Sequence, residues 1–270
     1  MGLIDVGFSA ERYYRAFNNV YFKNFGKYFM LHYPLYRSDS DNLFRCQENL
    51  TDYCIEKLGS IKGKRVLEVG CGNGVQSIFI LNRYHPAEIT GVDIDESNIK
   101  IANGQKKVAG VENVRFLVSD AQNLVEIADN SVDVVLNIES AFHYPDKTRF
   151  LKEVRRVLKP GGKFLIADIL MKKDRVKRTN FYKRRMSFYH WPISKYREAF
   201  TEAGLMVSEE DDVTDRIYKG FSISIEWFKT HPEVFKNKVI ELWAYIMLVL
   251  NRWLLKKMRK YLIFTGVKPD

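Results

Sequence analysis

Short apolar runs alternate with helical patterns through the middle third of the chain. The runs are rich in Val, Ile and Leu, and the segments between them repeat apolar positions every three or four residues. Strands are predicted at 65–70, 88–93, 114–118, 132–138 and 163–170, and helices at 73–84, about 96–109 and 146–158. Strands that are apolar on both faces and separated by helices indicate a parallel sheet covered on both sides. The pattern therefore predicts a doubly wound α/β core with right-handed crossovers.

The segment before this core is rich in aromatic residues. Eleven Phe and Tyr side chains lie between residues 8 and 36, mostly at helical spacing: Phe8, Tyr13, Tyr14, Phe17, Tyr21, Phe22, Phe25, Tyr28, Phe29, Tyr33 and Tyr36. Such a stripe is typical of packing. Its place ahead of the core would also allow it to cover a ligand cleft.

A long helix is predicted from about 232 to 260, and a last strand at 261–269. The apolar positions of the helix form two adjacent seams. The first seam contains Phe235, Val239, Leu242, Ile246, Val249 and Trp253, and the second contains Ile240, Trp243, Met247, Leu250 and Leu254. An apolar arc this wide is expected to be buried in a cap, shared in a homodimer or placed on a membrane surface.

The composition is that of an ordinary globular chain. It has 270 residues, of which 46% are hydrophobic and 28% charged, enough to bury a sizeable core. The three cysteines and five histidines show no metal-ligand spacing, so neither a disulfide scaffold nor a metal site is expected. No apolar stretch reaches the roughly 18–20 residues that span a bilayer, and the N-terminus does not resemble a signal peptide. We expect a cytoplasmic protein, either soluble or peripheral at a membrane.

The net charge of +10 is concentrated in the C-terminal part of the chain. Residues 171–270 contain 21 basic and 12 acidic side chains, a balance of +9. Two runs, KKDRVKRTNFYKRR (172–185) and RWLLKKMRK (252–260), supply most of the excess. Such runs are typical of solvated helix faces, and the alternatives are an anionic ligand, an acidic lipid surface or RNA.

The sequence EVGCGNG (68–74) lies at the first predicted strand-to-helix turn. A dinucleotide fingerprint, GxGxxG, would need a glycine where Val75 stands. The spacing is instead ExGxGxG, whose glycines allow the backbone to approach a ligand at the carboxyl end of the strand. Glu68 would repel phosphate groups and would suit a ligand with a cationic ammonium group.

Two further acids follow the next two strands. Asp93 ends the second strand, where a carboxylate can accept hydrogen bonds from both hydroxyls of a ribose. Asp120 follows the third strand, where it could recognise the amino group of an adenine. Together with Glu68, and without a phosphate-binding lysine, these acids indicate a nucleoside that carries amino-acid character.

At these residues the chain resembles the class I S-adenosylmethionine-dependent methyltransferases. The motifs VLEVGCGNG, GVDID, SDAQNL, SVDVVLNIES and LKEVRRVLKPGGKFLIAD match the family in order and spacing over about 60–170. The resemblance implies a Rossmann-like methyltransferase fold: α/β, with a doubly wound, seven-stranded, mostly parallel sheet and helical caps at both ends. It also implies an aromatic-rich helical cap at 1–60 and a methyltransferase domain at 61–270, with a helical insertion at about 213–260.

The same resemblance implies S-adenosylmethionine as cofactor and S-adenosylhomocysteine as its product. The residues implied to line the cofactor site are Glu68, Gly70, Gly72, Gly74, Asp93, Ile94, Asp120, Ala121 and Asn137.

Candidates for the acceptor chemistry follow the fourth and fifth strands. Transfer of a sulfonium methyl group depends mainly on in-line positioning of the acceptor, and a hydroxyl acceptor also gains from a general base. His143 and Asp168 are the candidates for proton transfer, and Glu139 is expected to orient other groups. The alternatives are a loop histidine that only packs, and an aspartate that caps a helix or pairs with a nearby lysine.

The stretch ESAFHYPD (139–146), the YPLY at 33–36 and the YHP at 84–86 resemble a small-molecule and lipid branch of the type 11 methyltransferases. That branch includes phthiotriolone-type O-methyltransferases and sterol C-methyltransferases. It implies methyl transfer to a hydroxyl of a hydrophobic small molecule or lipid. Basic runs beside the caps could bind an acidic head group or an anionic membrane.

Several alternatives stay open, because the C-terminal third matches the branch poorly. They are C- or N-methylation of a sterol, isoprenoid or amine, methylation of RNA, and a binding protein without catalysis. An amino methyltransferase of nucleic acid would carry an NPPY-type motif where NIES (137–140) stands, so nucleic acid is not the expected partner.

Overall fold

The computed structural model describes residues 10–173, 188–235 and 237–270. The strands are β1 (Arg65–Val69), β2 (Glu88–Asp93), β3 (Val114–Val118), β4 (Val132–Ile138), β5 (Leu158–Met171), β6 (Met206–Asp212) and β7 (Arg259–Val267). The described helices are α1 (Ala10–Phe25), α2 (Leu43–Leu58), α3 (Val75–Tyr84), α4 (Glu96–Ala109), α5 (Lys147–Val157), α6 (Ile193–Ala203), α7 (Thr214–Thr230) and α8 (Lys238–Lys257). A short 3-10 turn, Ala141–His143, follows β4.

The seven strands form one sheet in the order β3-β2-β1-β4-β5-β7-β6. The pairs from β3 to β5 are parallel, and β7 runs antiparallel to both β5 and β6. The predicted doubly wound, mostly parallel sheet is therefore confirmed. The chain order reverses between β1 and β4, so the loops that follow these two strands open a crevice at their carboxyl ends.

Each face of the sheet is covered by its own apolar cluster. Val134 and Leu136 of β4 belong to one cluster, whereas Val135 between them belongs to the other. This alternation follows from the two-residue period of a strand. Because both faces of β4 are buried, its apolar run is continuous, as predicted for a central parallel strand.

Helix α2 packs into the core of the sheet. Its Leu50, Cys54 and Ile55 are buried in the same cluster as the β-strand residues. The side chain of Asn42 caps the helix by accepting a hydrogen bond from the Arg45 amide, 2.9 Å away. The predicted boundary at residue 60 between a cap and a methyltransferase domain stays a prediction.

Helix α7 crosses very close to the chain segment that follows α1. A Cβ atom at Gly220 would lie only 2.3 Å from the carbonyl oxygen of Pro34, so a larger residue would push the two segments apart. The close approach brings the rings of Tyr33 and Phe221 to 4.7 Å between centroids. Tyr33 is thereby held at the edge of the crevice.

The long C-terminal helix begins later than predicted, because the side chain of Asn237 accepts hydrogen bonds from the amides of Val239 and Ile240 and caps it. Of the two predicted seams, the second lies largely against the protein. The first is exposed along most of α8, with Leu242 58% exposed and Trp253 50% exposed. Within the described ranges, no helix is both long and apolar enough to cross a membrane.

The structure describes the two basic runs to different extents. All but Lys172 and Lys173 of the run at 172–185 lies outside the described residues, as does Phe8 of the aromatic set. In the second run, Lys256 and Lys257 are exposed, whereas Arg259 is buried at the start of β7.

Candidate active site

The turn between β1 and α3 is shaped by glycines in the left-handed backbone region. Gly70 has a φ of 77°, and a Cβ atom there would lie 2.1 Å from the Oγ of Ser140. The amides of Gly70 and Cys71 both donate to the carbonyl oxygen of Val92, at 2.7 and 3.0 Å. Only glycine fits this position without displacing the loop that follows β4.

Asp93 ends β2 and fixes the glycine turn through its carboxylate. Oδ2 accepts a hydrogen bond from the Gly72 amide and Oδ1 accepts one from the Asp95 amide, each at 2.9 Å. Burial raises the pKa of Asp93, and these hydrogen bonds act in the opposite direction. The side chain of Asn98 also donates a hydrogen bond to this carboxylate. A carboxylate has about four lone pairs, so one remains for a ligand hydroxyl.

A cavity of about 380 Å³, here called the strand-end cavity, lies between the loops that follow β1, β2, β3 and β4. Five acids line it: Glu11, Asp93, Asp95, Asp120 and Glu139. Its described lining contains no lysine or arginine. This charge is unsuited to a phosphate and suits a ligand that is cationic and rich in hydroxyl or amino donors.

Six of the residues predicted for the cofactor lie at this cavity: Gly70, Gly72, Asp93, Ile94, Asp120 and Ala121. Ile94 is 68% exposed, so an apolar surface is open at the cavity for a flat ring. Gly74 and Asn137 lie outside the lining. Asn137 is fully buried and donates to the Val69 carbonyl oxygen and to the Oγ of Ser140, at 2.9 and 2.7 Å, so it supports the cavity wall.

Glu68 also lies behind the cavity and does not reach it. Its side chain is 1% exposed and accepts a hydrogen bond from the hydroxyl of Ser77 on α3. The other oxygen, Oε1, has no hydrogen-bond partner among the described residues. Burial raises the pKa of Glu68 to about 7. Glu68 points to the face of the sheet that α3 covers, and its predicted contact with an ammonium group stays a prediction.

Helix α1 is fastened over the glycine turn by three asparagines, which the sequence analysis missed. The amide of Asn73 donates to the side chain of Asn18 at 2.9 Å and to the carbonyl oxygen of Phe29 at 2.8 Å. Asn18 in turn donates to the side chain of Asn98 on α4, at 3.1 Å. A polar Asn18 within an aromatic stripe was the available signal, because a buried amide needs partners.

A second cavity of about 240 Å³, here called the aromatic cavity, adjoins the first. Its walls include Tyr13, Phe17, Tyr21, Phe142, Phe221 and Trp243. Tyr14, Leu31 and Glu139 line both cavities and form their common wall. Helices α1 and α8 therefore build an apolar compartment beside an acidic one, in agreement with the expectation that the aromatic N-terminus lies over a ligand cleft.

His143 lies at the strand-end cavity near this common wall. Its Nε2 is 2.9 Å from the hydroxyl oxygen of Tyr14, and its ring packs 4.1 Å from that of Phe142 between centroids. Burial raises the pKa of the Tyr14 hydroxyl well above its ordinary value. The geometry holds the imidazole ring at a fixed angle beside the cavity.

Glu139 stands at the end of β4 with a φ of 57°, a left-handed conformation that is uncommon for a residue with a side chain. Its Oε2 accepts a hydrogen bond from the Tyr33 amide at 2.7 Å. Burial raises the pKa of Glu139 well above its ordinary value. The contact with the Tyr33 amide links β4 to the segment after α1, and the predicted role of Glu139 in orienting other groups stays a prediction.

Asp168 is not brought to either cavity. It is completely buried in β5 and accepts hydrogen bonds from the Phe142 amide, at 3.1 Å, and from the hydroxyl of Tyr196. Burial raises its pKa to about 6. Asp168 holds the backbone of the turn that carries His143, a contact that suits a positioning residue, and its predicted part in proton transfer stays a prediction.

Comparisons with known proteins agree with this geometry. A methyltransferase domain family matches residues 60–204, more than half of the chain. The chain is 41% identical over 136 residues to the phthiotriol/phenolphthiotriol dimycocerosates methyltransferase of Mycobacterium tuberculosis, which covers 50% of this chain and 48% of that protein. It is 40% identical over 131 residues to the fatty-acid O-methyltransferase of Mycolicibacterium smegmatis, which covers 48% of this chain and 46% of that protein.

These matches span about half the length of both relatives.

Among solved structures, the fold is similar to that of phosphoethanolamine N-methyltransferase 2 from Haemonchus contortus, which was solved with S-adenosylhomocysteine. The TM-score is 0.82 at 19% identity, and the match covers 96% of this chain and 58% of that chain. At this identity the likeness shows the fold alone.

Substitution of Glu68 tests its burial as a neutral acid. Its pKa is about 7 in the folded protein against an ordinary value of 4.5. The stability that protonation contributes is present below pH 4.5 and is lost as the pH rises through 7. We expect the free energy of unfolding of Glu68→Gln, relative to wild type, to rise by about 3 kcal/mol between pH 4 and 8.

Urea unfolding at a series of pH values measures this difference. The exposed Glu112 provides the control, because Glu112→Gln should follow the wild-type curve at every pH. If the free energies of unfolding of Glu68→Gln and wild type differed by the same amount at every pH, the burial of a neutral carboxyl group would be contradicted.

Proposed function

Because the chain belongs to the class I S-adenosylmethionine-dependent methyltransferases, we propose that it transfers a methyl group from S-adenosylmethionine to a hydroxyl of a hydrophobic small molecule or lipid. The observation that carries this proposal is the pair of cavities with a common wall. One cavity is acidic and the other apolar, so a cationic nucleoside and a greasy acceptor can meet at Tyr14, Leu31 and Glu139.

The residues of the strand-end cavity fit this cofactor. Asp93 would accept from the ribose hydroxyls, and Asp120 from the adenine amino group. Ile94 and Ala121 would flank the adenine ring, and the glycine turn would leave room for the amino-acid end. When bound, the sulfonium group supplies a methyl group that is electrophilic without metal or redox chemistry. The acids around the sulfonium group would favour binding of the cationic cofactor over binding of its neutral thioether product.

His143 is proposed to remove the proton of the acceptor hydroxyl as the new bond forms. An imidazole is suited to this role near neutral pH. The contact with Tyr14 and the packing on Phe142 fix the imidazole ring. The hydrogen bond that the Phe142 amide donates to the Asp168 carboxylate fixes the turn. A base held in this way does not have to be ordered again in each catalytic cycle.

The aromatic cavity supports a lipid acceptor. Rings dominate its walls, and such surfaces favour apolar ligands of matching shape. The proteins matched from M. tuberculosis and M. smegmatis are named for phthiotriol dimycocerosates and for a fatty acid, both lipids. We therefore place the acceptor between α1 and α8.

The same walls favour a second candidate, methylation of carbon or nitrogen. Aromatic faces attract positive charge, and an alkene or amine acceptor becomes cationic when it receives a methyl group. Mass spectrometry of the methylated product distinguishes an ether from a methylated carbon or nitrogen.

Replacement of His143 tests the role of the base. For a hydroxyl acceptor, we expect His143→Ala to lower kcat by about 10²- to 10⁴-fold, because general base catalysis is lost. The affinity for S-adenosylhomocysteine should change little. Transfer of a labelled methyl group to a lipid extract measures kcat, and calorimetry measures the affinity.

The exposed His85 provides the matched control, and His85→Asn should keep wild-type activity since asparagine tolerates its left-handed backbone. If His143→Ala kept wild-type turnover, the proposed base would be wrong, and positioning alone would account for transfer.

We also propose that α8 docks the protein on an anionic membrane from which the acceptor enters. Its exposed face, here called the outer stripe, consists of Val239, Leu242, Ile246, Val249 and Trp253. The exposed Lys238, Lys256 and Lys257 flank this stripe at the helix ends. The adjacent face of α8 lines the aromatic cavity through Trp243 and Met247. An apolar stripe with lysines at both ends suits the head-group region of an acidic bilayer.

Co-sedimentation with vesicles tests the docking. The wild type should bind phosphatidylglycerol vesicles at low salt more strongly than phosphatidylcholine vesicles, since each nearby cation contributes about 1 kcal/mol. Leu242→Ser with Ile246→Ser should weaken binding about tenfold or more, because two buried apolar contacts are lost.

Val108→Ser provides the control, as Val108 is 84% exposed on α4, outside the outer stripe. Equal binding by the double variant and the wild type would exclude the outer stripe as the docking surface. Equal binding to both lipids at low salt would remove the electrostatic part of the proposal.

A further inference from the structure

Arg259 is a buried cation at the wall of the aromatic cavity. It is the first residue of β7, and its side chain is only 9% exposed. Its Nε has no hydrogen-bond partner among the described residues. The one hydrogen bond recorded for its side chain is a long one of 3.5 Å, from Nη1 to the hydroxyl oxygen of Tyr33.

Among the described residues, Arg259 has no ion pair. A guanidinium group cannot give up its proton in a protein and has five N–H donors. No carboxylate of the described residues lies within ion-pair distance, 4.0 Å, of it. Glu139 lines the same cavity and lies beyond that distance, and its Oε2 already accepts a hydrogen bond from the Tyr33 amide. A buried charge without a partner is destabilising unless a ligand supplies one.

We propose that Arg259 binds a carboxylate of the acceptor, so that the acceptor is an acid with an apolar chain. This inference rests on the proposed function, since it takes the aromatic cavity to be the acceptor site. The planar guanidinium group matches a carboxylate through two parallel hydrogen bonds. Nε and an Nη atom on one edge of Arg259 are the donors that such a pair requires.

The charge of the cavity favours a carboxylate over a phosphate. Arg259 is the only lysine or arginine among the described residues of its lining. One cation balances a carboxylate, whereas a phosphate monoester carries about −1.5 to −2 at pH 7. The rest of the lining is mostly aromatic and aliphatic, so it receives the chain.

The cavity also provides a direction for that chain. Leu250 on α8 lines the aromatic cavity and is 42% exposed, so the lining reaches the protein surface at this residue. Asn251 accepts a hydrogen bond from the hydroxyl of Tyr33 at 2.6 Å and so holds Tyr33 beside Arg259. A chain bound with its carboxylate at Arg259 can therefore extend outward along α8.

Binding of decanoate and decanol tests the inference, because these ligands share a chain length and differ in charge. Titration calorimetry at pH 8, with S-adenosylhomocysteine present, should show decanoate binding to wild type about tenfold more tightly than decanol. Arg259→Met should lose this preference and keep its affinity for decanol. Arg259→Lys should keep part of the preference, since it retains the charge without the planar pair of donors.

Lys62→Met provides the control, because Lys62 is exposed ahead of β1, lines neither cavity and should leave the preference unchanged. Equal affinity of wild type for the two ligands would overturn the inference, as would a preference that survives in Arg259→Met. If the thermal unfolding curve shows that Arg259→Met does not fold, the test uses wild type and methyl decanoate, an uncharged ester of the same acid. Binding of methyl decanoate as tight as that of decanoate would overturn the inference.

The result of the decanoate test can be distinguished from the result of a test of the proposed methyl transfer. Decanoate binding is an equilibrium measurement that needs no methyl transfer. A protein that preferred decanoate through Arg259 but did not bind S-adenosylhomocysteine would retain this inference and lose the proposed reaction.

Discussion

The structure depends on a concentration of carboxylates in a crevice whose described lining has no lysine or arginine. Asp93 and Asp120 are presented there because parallel strands end at the same edge of the sheet. Amides of the glycine turn hold Asp93 in place, and α1 closes over the turn through Asn18 and Asn73. These hydrogen bonds fix the backbone around the acids, so the crevice is already arranged for a cationic ligand before one binds.

The acidic strand-end cavity adjoins the apolar aromatic cavity, so two different ligands can meet where the cavities join. Tyr14 and Glu139 separate a region that favours positive charge from one that favours apolar surface. His143 stands at this boundary, on a turn whose backbone is held by the buried Asp168. The groups that would react are thus carried on short, well-anchored segments, whereas the groups that select the acceptor come from the helices at either end of the chain.

The α/β core could be predicted closely from the sequence, because strands and helices there have distinct hydrophobic periods and end at glycines. The position of Asp93 could be predicted for the same reason. Glu68 could not, because the pattern identifies the strand end but not which face receives the carboxylate. Arg259 was hidden within a basic run that is typical of solvated helix faces. Its burial results from the pairing of β7 with β5, a contact between residues 88 positions apart at Met171.

Titration calorimetry with S-adenosylhomocysteine tests the central claim most directly. Wild type should bind it, and Asp93→Asn should bind it at least about tenfold more weakly, since charge-assisted hydrogen bonds to the ribose are lost. Adenosine diphosphate should not bind, because the acids of the crevice repel its phosphates. Absence of heat with S-adenosylhomocysteine, or tight binding of adenosine diphosphate, would contradict the account.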